Sequence, residues 1–149
     1  PGGEFGHPTK LGRCNTEAVY RYRDDISGPL LEPMYLSIEV PSVPASELMS
    51  AHLVESSADV LVRVLAALKR QNERQGKINA LLSVTELDTV AAISSEAKET
   101  LGSLLEKLSL SARSFHRIMR VARTLADLAG DEDVNSNHVL RAVSFRRAM

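Results

Sequence analysis

Residues 108–130 of the chain read LSLSARSFHRIMRVARTLADLAG, and this stretch carries the clearest structural pattern in the sequence. Ser111 is a preferred residue type for the N-cap of a helix, and Gly130 is the type that most often ends one. Apolar residues recur between them at helical spacing on one face: Phe115, Met119, Ala122, Leu125, Ala126 and Ala129. The stretch therefore predicts one long amphipathic helix.

The opposite face of this predicted helix is basic. At about 100° per residue, three arginines fall within roughly 60° of one another, and a histidine and a fourth arginine flank them: Arg113, Arg117, Arg120, His116 and Arg123. A solvated basic face with Asp127 nearby is one interpretation. Arg113 favours another, because the helix dipole disfavours a cation in the first turn, whereas a helix N-terminus together with an arginine suits an anion such as a nucleotide phosphate.

Helical patterns extend from about residue 45 to the end of the chain. Ser56 or Ser57 is predicted to cap a long helix that Gly76 ends, with apolar residues along one face: Val60, Leu61, Val64, Leu65 and Leu68. Shorter helices are predicted over residues 46–52 and from three further starts: Thr85, Ser94 or Ser95, and Asn135 or Ser136. These patterns predict a mainly α fold, with a small all-α bundle over residues 45–149.

The first 44 residues have a different composition. They contain all six prolines of the chain, and the first 28 contain five of its eight glycines. Because these residues interrupt regular structure, we predict a boundary near residue 44, with an irregular segment over 1–44 before the helical domain 45–149. Within the segment, residues 17–23 predict a short helix and residues 35–40, YLSIEV, predict a strand that would need partners.

The composition limits the class of protein. The chain has 149 residues, of which 44% are hydrophobic and 25% charged, enough for one globular core. The net charge of −1 argues against a generally basic nucleic-acid coat, and the single cysteine, Cys14, excludes a disulfide framework and favours a reducing compartment. The sequence has no apolar run as long as a membrane span, no signal peptide and no initiator Met, which predicts a fragment of a cytoplasmic protein.

The residues alone predict no self-contained active site. Gly76-Lys77 lacks the upstream glycine of a Walker A motif and is followed by Ile78. Residues 128–132, LAGDE, resemble the end of a Walker B motif, but Gly130 and the helical pattern favour a helix end followed by a turn. The four histidines do not have metal-ligand spacing, and no metal site is predicted from them: His7, His52, His116 and His138.

Residues 108–130 resemble the lid-domain signature of the magnesium-chelatase-like AAA+ ATPases, and within them the branch of bacterial competence proteins. Residues 22–23, 26–31 and 38–41 match the stretch that joins the ATPase core to the lid. Residues 6–9 and 13–14 match a cysteine-containing loop of the core. The resemblance implies a helical lid at 45–149 and a remnant of the AAA+ core at 1–44, in which residues 35–40 would be the last core strand.

The resemblance also implies a function. Arg113 matches the sensor 2 arginine, which reaches the γ-phosphate of ATP, and is the one candidate cofactor-binding residue. ATP and Mg²⁺ would be held by motifs upstream, outside this chain, so the fragment alone is expected to bind no cofactor and to hydrolyse nothing. The implied partners are the upstream core, neighbouring subunits of a hexameric ring, and DNA remodelled in recombination and competence, all in the bacterial cytoplasm.

The sequence departs from the family pattern at three places. In the loop where the family has four cysteines, this chain has Cys14 and three glycines: Gly2, Gly3 and Gly12. Pro33 stands where the family has an arginine finger. Asp24 and Asp25 stand where the family has Ser-Arg. These departures leave open whether the parent is an active ATPase.

Three other functions also stay open. One is a chelatase-type motor that acts on a protein partner. Another is a helical DNA-binding module that uses Arg117, Arg120 and Arg123 on phosphates. The third is a purely structural interaction domain.

Overall fold

The computed structural model describes residues 15–25, 36–38, 40, 43–49 and 55–145. The chain divides into two compact units, Pro1–Met34 and Tyr35–Met149. In the first unit, helix α1 spans Thr16–Asp25 and confirms the helix predicted over residues 17–23. The Asn15 side chain accepts a hydrogen bond from the backbone N–H of Ala18 at 2.9 Å, which stabilises the start of the helix.

The second unit is helical throughout its described residues, apart from the connections. Its elements are α2 (Ala45–Met49), α3 (Ser57–Gln75), a 3₁₀ turn (Asn79–Leu81), α4 (Val84–Val90), α5 (Ser95–Lys107), α6 (Ala112–Ala129) and α7 (Ser136–Ser144). The predicted mainly α fold is confirmed. In the part of the chain that the structure describes, no helix is both long enough and apolar enough to cross a membrane.

Side-chain caps fix where the helices from α3 onward begin. In each case the cap accepts a hydrogen bond from the backbone N–H three residues later: the caps are Ser56, Ser83, Ser94, Ser111 and Asn135. Four of these starts agree with the prediction. The start of α4 does not, because Ser83 and not a later residue forms a reciprocal cap with Glu86, and the helix begins at Val84 instead of Thr85.

Two glycines end the long helices. Gly76 follows α3 with φ of 70°, and Gly130 follows α6 with φ of 86°. Both angles lie in the left-handed region, which glycine adopts without the strain that a side chain would cause. Residues 128–132 are therefore a helix end followed by a turn, as predicted, and not a Walker B strand.

Helix α6 lies at the centre of the bundle. It packs against α3, α4, α7 and the 3₁₀ turn, while α5 packs against α7. The core is made of apolar side chains from α4 to α7 and their connections, among them Leu87, Ala97, Leu101, Ile118, Met119, Ala122, Val134 and Val139. Backbone hydrogen bonds also join two connections, because Val134 donates to Ala92 at 2.9 Å and Ser94 donates to Val134 at 3.1 Å.

The predicted strand over residues 35–40 is wrong for the residues described there. Residues 36–38 and 40 have no regular secondary structure. Ser37 donates its backbone N–H to the carbonyl of Phe145 at 2.8 Å, so this segment contacts the end of α7 and not a neighbouring strand. A strand without a neighbour has no hydrogen-bonding ladder to stabilise it.

The apolar face predicted on α3 forms, but the bundle does not cover it. Val60, Leu61, Val64 and Leu65 are all exposed. The buried residues of α3, Ala67 and Gln71, lie further along the helix. The first half of α3 therefore extends beyond the region in which α3 packs against α6.

Candidate functional site

The N-terminus of α6 positions Arg113. The Ser111 hydroxyl accepts a hydrogen bond from the backbone N–H of Ser114 at 3.3 Å, and the hydroxyls of these two serines are 3.0 Å apart. Arg113 is the second residue of the helix and is exposed. Its guanidinium therefore belongs to the first turn, where the backbone N–H groups and the helix dipole favour a negative charge.

Arg113 shares a surface depression with other basic residues of α6. The depression has a volume of about 300 Å³ and is lined by Val84, Arg113, His116, Arg117 and Arg120. The predicted grouping of these basic residues is confirmed for Arg113, Arg117 and Arg120, with His116 beside them. The His116 ring also packs edge-on against the Phe115 ring, with their centroids 5.1 Å apart.

Arg120 is more constrained than a solvated arginine. Its Nη2 donates a hydrogen bond to the carbonyl of Leu82 at 2.7 Å, which holds the side chain beside the start of α4. Its Nε is buried and has no hydrogen-bond partner among the described residues. The position of the Arg120 guanidinium is thus set by the turn that leads into α4.

The prediction that Arg123 lies on the basic face of α6 is wrong. The Arg123 side chain is 1% exposed and points into the bundle. It donates to the carbonyl of Glu132 at 2.6 Å, to that of Asp131 at 2.8 Å and to the carboxylate of Asp127 at 3.2 Å. Because a buried guanidinium must be paired, Asp127 and the carbonyls beyond the end of α6 hold it inside.

Asp127 is the centre of a buried polar cluster that the sequence analysis missed. Arg74 of α3 donates to both of its carboxylate oxygens, at 2.6 and 3.1 Å, and Asn79 donates to it at 2.8 Å. Arg70 donates to the backbone carbonyl of Asp127 at 2.9 Å. Burial alone would raise the pKa of Asp127, but the hydrogen bonds from Arg74 and Asn79 and the charge of Arg123 lower it below its usual value.

The cluster connects helices. Asp127 accepts hydrogen bonds from Arg74, Asn79 and Arg123, and these bonds join α3, the 3₁₀ turn and the C-terminal half of α6. Within the described residues, no three His, Cys, Asp or Glu side chains are arranged to hold a metal ion. Several residues singled out from the sequence lie outside the described part: His7, Cys14, Pro33 and His52, with the cysteine loop around Cys14.

The family described as "Magnesium chelatase, subunit ChlI C-terminal" matches residues 54–146, which include α3 to α7. The chain belongs to this family. The predicted resemblance is thereby confirmed for the whole bundle that carries the basic depression and the Asp127 cluster.

Individual relatives match over most of the chain. Competence protein ComM of Haemophilus influenzae is 38% identical over 143 residues, 95% of the chain. YifB of Escherichia coli is 40% identical over 136 residues, and protein Mb2921c of Mycobacterium bovis is 33% identical over 138 residues, each match covering 90% of the chain. The chain spans 28% of the length of ComM and 27% of the lengths of the other two.

Proposed function

We propose that this chain is the helical lid of a longer AAA+ ATPase of the magnesium chelatase family, and that Arg113 senses the γ-phosphate of bound ATP. The observation that supports this proposal best is the position of Arg113. It lies in the first turn of α6, exposed, on a depression with two more guanidinium groups. A phosphate there would meet the positive end of the helix and charge-assisted hydrogen bonds together.

The rest of the ATPase is proposed for the part of the relatives that this chain does not span. ATP and Mg²⁺ would be held chiefly by an upstream core, since the chain has no Walker A motif. The described residues fit the phosphate part of that ligand, because their side chains supply positive charge at the depression. The longer protein would act in the bacterial cytoplasm as a hexameric ring, in which the lid transmits the nucleotide state to the neighbouring subunits.

DNA remodelling is the work proposed for this ATPase. The support is the name of ComM, a competence protein, and its 38% identity over 95% of the chain. We infer that the ring couples ATP hydrolysis to the recombination of incoming DNA strands.

A second candidate is a chelatase-type motor that acts on a protein partner, and the description of the matching family favours it. A DNA-binding module that uses Arg117, Arg120 and Arg123 has less support. Arg123 is buried and paired with Asp127, so its guanidinium is not accessible to a phosphate.

Substitution of Arg113 in the full-length protein tests the sensor role. Arg113→Ala removes a charge-assisted contact to phosphate, for which roughly 1.5–3 kcal/mol is typical, and should lower ATP turnover or nucleotide affinity about ten- to hundred-fold. The matched control is Arg141→Ala, because Arg141 is an exposed arginine of α7 that does not line the depression. Arg117→Ala should have an intermediate effect, since Arg117 lines the same depression.

A measurement of folding separates sensing from structure. Arg113→Ala should leave the melting temperature of the 149-residue chain almost unchanged, because Ser111 caps α6 and its buried face anchors it. If the variant melts earlier while ATP turnover of the full-length protein stays at the wild-type level, Arg113 is a structural residue and the sensor proposal fails.

A further inference from the structure

The first half of α3 exposes more apolar surface than a one-sided helix should. Every residue from 57 to 66, the open half of α3, is exposed. Five of these are large apolar residues with exposures from 39% to 68%: Val60, Leu61, Val62, Val64 and Leu65. At about 100° per residue they cover roughly 200° of the circumference, twice the stripe of about 100° that an amphipathic surface helix needs. A helix with this distribution is normally buried.

The open half is a formed helix held at both ends. At its start, Ser56 and Asp59 make a reciprocal cap, and Arg63 pairs with Glu55 at 2.8 Å. The second half of α3 is fixed to α6, where Arg70 and Arg74 bind Asp127. The apolar surface is therefore already in its folded conformation and needs no ordering before it is covered.

We propose that the open half of α3 docks against an apolar surface of the ATPase core in the same longer polypeptide. This inference rests on the proposed function only in requiring that core. The matched family is described as a C-terminal part, and the chain spans only 28% and 27% of the two relatives named first, ComM and YifB. Most of the length of those relatives is thus available as the occupant, and it precedes this domain in the family.

The chemistry of the open half favours an apolar occupant over a charged one. Asp59 and Arg63 are the two charged residues of the open half, and both are already engaged by Ser56 and Glu55. A surface of this kind is stabilised by removal from water and has no charge with which to select nucleic acid.

The open half of α3 is linked to the helix that carries Arg113. Arg70 and Arg74 of α3 bind Asp127 near the C-terminal end of α6, and Arg113 lies at the other end of the same helix. A partner docked on the open half of α3 would therefore be connected to α6 through these hydrogen bonds.

Amide hydrogen exchange tests the docking directly. In the 149-residue chain, amides over residues 61–66 should exchange quickly, because an uncovered helix half opens locally. In the full-length protein the same amides should exchange at least ten-fold more slowly, whereas amides on the solvent side of α5 near Ser103 should exchange at the same rate in both. Equal exchange of residues 61–66 in the two proteins would overturn the proposal.

Two further results would identify a different occupant and overturn it as well. Protection in the 149-residue chain that grows with protein concentration would assign the surface to a second copy. Protection there that does not depend on concentration would assign it to another part of the same chain.

A paired substitution gives an independent readout. Leu61→Gln with Leu65→Gln should leave the melting temperature of the 149-residue chain unchanged and lower that of the full-length protein by several degrees. Leu140→Gln is the control, since Leu140 is 49% exposed on α7 and should change neither. Equal melting temperatures of the wild-type and paired-variant full-length proteins would count against docking. The Arg113 experiment reads ATP turnover, so the two proposals can fail separately.

Discussion

Residues 36–66 and residues 67–145 use apolar side chains in different ways. No described residue of the first region is buried, although it contains Ile38, Val40, Val62 and Leu65. The second region buries its apolar residues around α6, with Leu87 1% exposed and Ala122 fully buried. A helical pattern of apolar residues thus identifies a face that can be buried, and the packing of other elements decides whether it is.

Charged residues differ between the regions in the same way. Arg63 and Glu55 form a pair whose side chains are 58% and 47% exposed. Arg123 and Asp127 form a pair whose side chains are 1% and 0% exposed. Solvent screens the exposed pair. The buried pair must be compensated by hydrogen bonds and charges within the protein, so of the two pairs only this one makes the fold depend on a single charged residue.

The largest expected effect is the loss of the Asp127 carboxylate. Asp127→Ala leaves the buried Arg123 guanidinium without its anion and removes the acceptor of Arg74 and Asn79. Breaking a buried pair in this way typically costs about 3–5 kcal/mol in the free energy of unfolding. Urea denaturation of the 149-residue chain measures it, and Asp127→Asn, which keeps the size and one acceptor oxygen, should be less severe.

The control for the Asp127 substitution lies in residues 36–66. Glu55→Ala removes the anion that pairs with Arg63 and should cost less than about 1 kcal/mol, because both side chains are exposed. If Asp127→Ala cost no more than Glu55→Ala, the cluster would not be what fixes α3 to α6.

The next effect compares two leucines of matching size, one in each region. Leu87→Ala should cost roughly 2–5 kcal/mol, since the side chain is 1% exposed and its removal leaves a cavity beside α6. Leu61→Ala should cost less than about 0.5 kcal/mol in the same chain, because Leu61 is 53% exposed. A large loss of stability in Leu61→Ala would show that the open half of α3 is already covered within the chain.

Much of the fold could be predicted because its signals are local. Ser56, Ser94, Ser111 and Asn135 cap helices where the pattern places them, since a cap and its amide lie only three residues apart. The exposure of the α3 face could not be predicted, because periodicity reports which residues share a face and not whether another element covers it. The strand over 35–40 failed for a related reason, since pairing depends on a neighbour.

The candidate site was predictable to the same extent. Arg113, Arg117 and Arg120 share a face at 100° per residue, and the structure places them on one depression. The burial of Arg123 had one local signal, Asp127 four residues later. The other side chains that bind Asp127 could not be found in this way, because Arg74 lies 53 residues from Asp127 in the sequence and Asn79 lies 48 residues from it.

Within residues 67–145, His138 should make the free energy of unfolding depend on pH. Its Nδ1 accepts a hydrogen bond from the backbone N–H of Asn135 at 3.2 Å, and its Nε2 lies 3.3 Å from the carboxylate of Asp131. Burial lowers the pKa of His138 below its ordinary value of 6.5, and the charge of Arg123 acts in the same direction, while Asp131 opposes them. The neutral imidazole is thus the form that caps α7.

The sign of this dependence follows from where the proton binds first. The unfolded chain binds it near pH 6.5, before the folded protein does, so the free energy of unfolding should decrease as the pH falls below about 6.5 and level off below the folded pKa. Urea midpoints between about pH 8 and pH 5 measure this. In His138→Gln, which keeps a capping side chain without a titratable group, the decrease should become shallower; an unchanged slope would show that His138 does not carry it.

The smallest effect concerns strain just before Arg113. Ser109 follows α5 with φ of 47°, in the left-handed region that Gly76 and Gly130 adopt after α3 and α6. The backbone N–H of Leu110 closes the turn by donating to the carbonyl of Leu105 at 3.1 Å. Ser109→Gly should relieve about 1–2 kcal/mol of side-chain strain and lose about 0.5–1 kcal/mol through the greater entropy of the unfolded chain. A net gain of about 0.5 kcal/mol would raise the melting temperature by about 1–2 °C. Ser103→Gly, an exposed position inside α5, should lower it instead by a similar amount, because there glycine adds only flexibility. Calorimetry of the two variants gives opposite signs if the left-handed turn limits stability at this end of α5, and equal decreases if the Ser109 side chain contributes more than its strain removes.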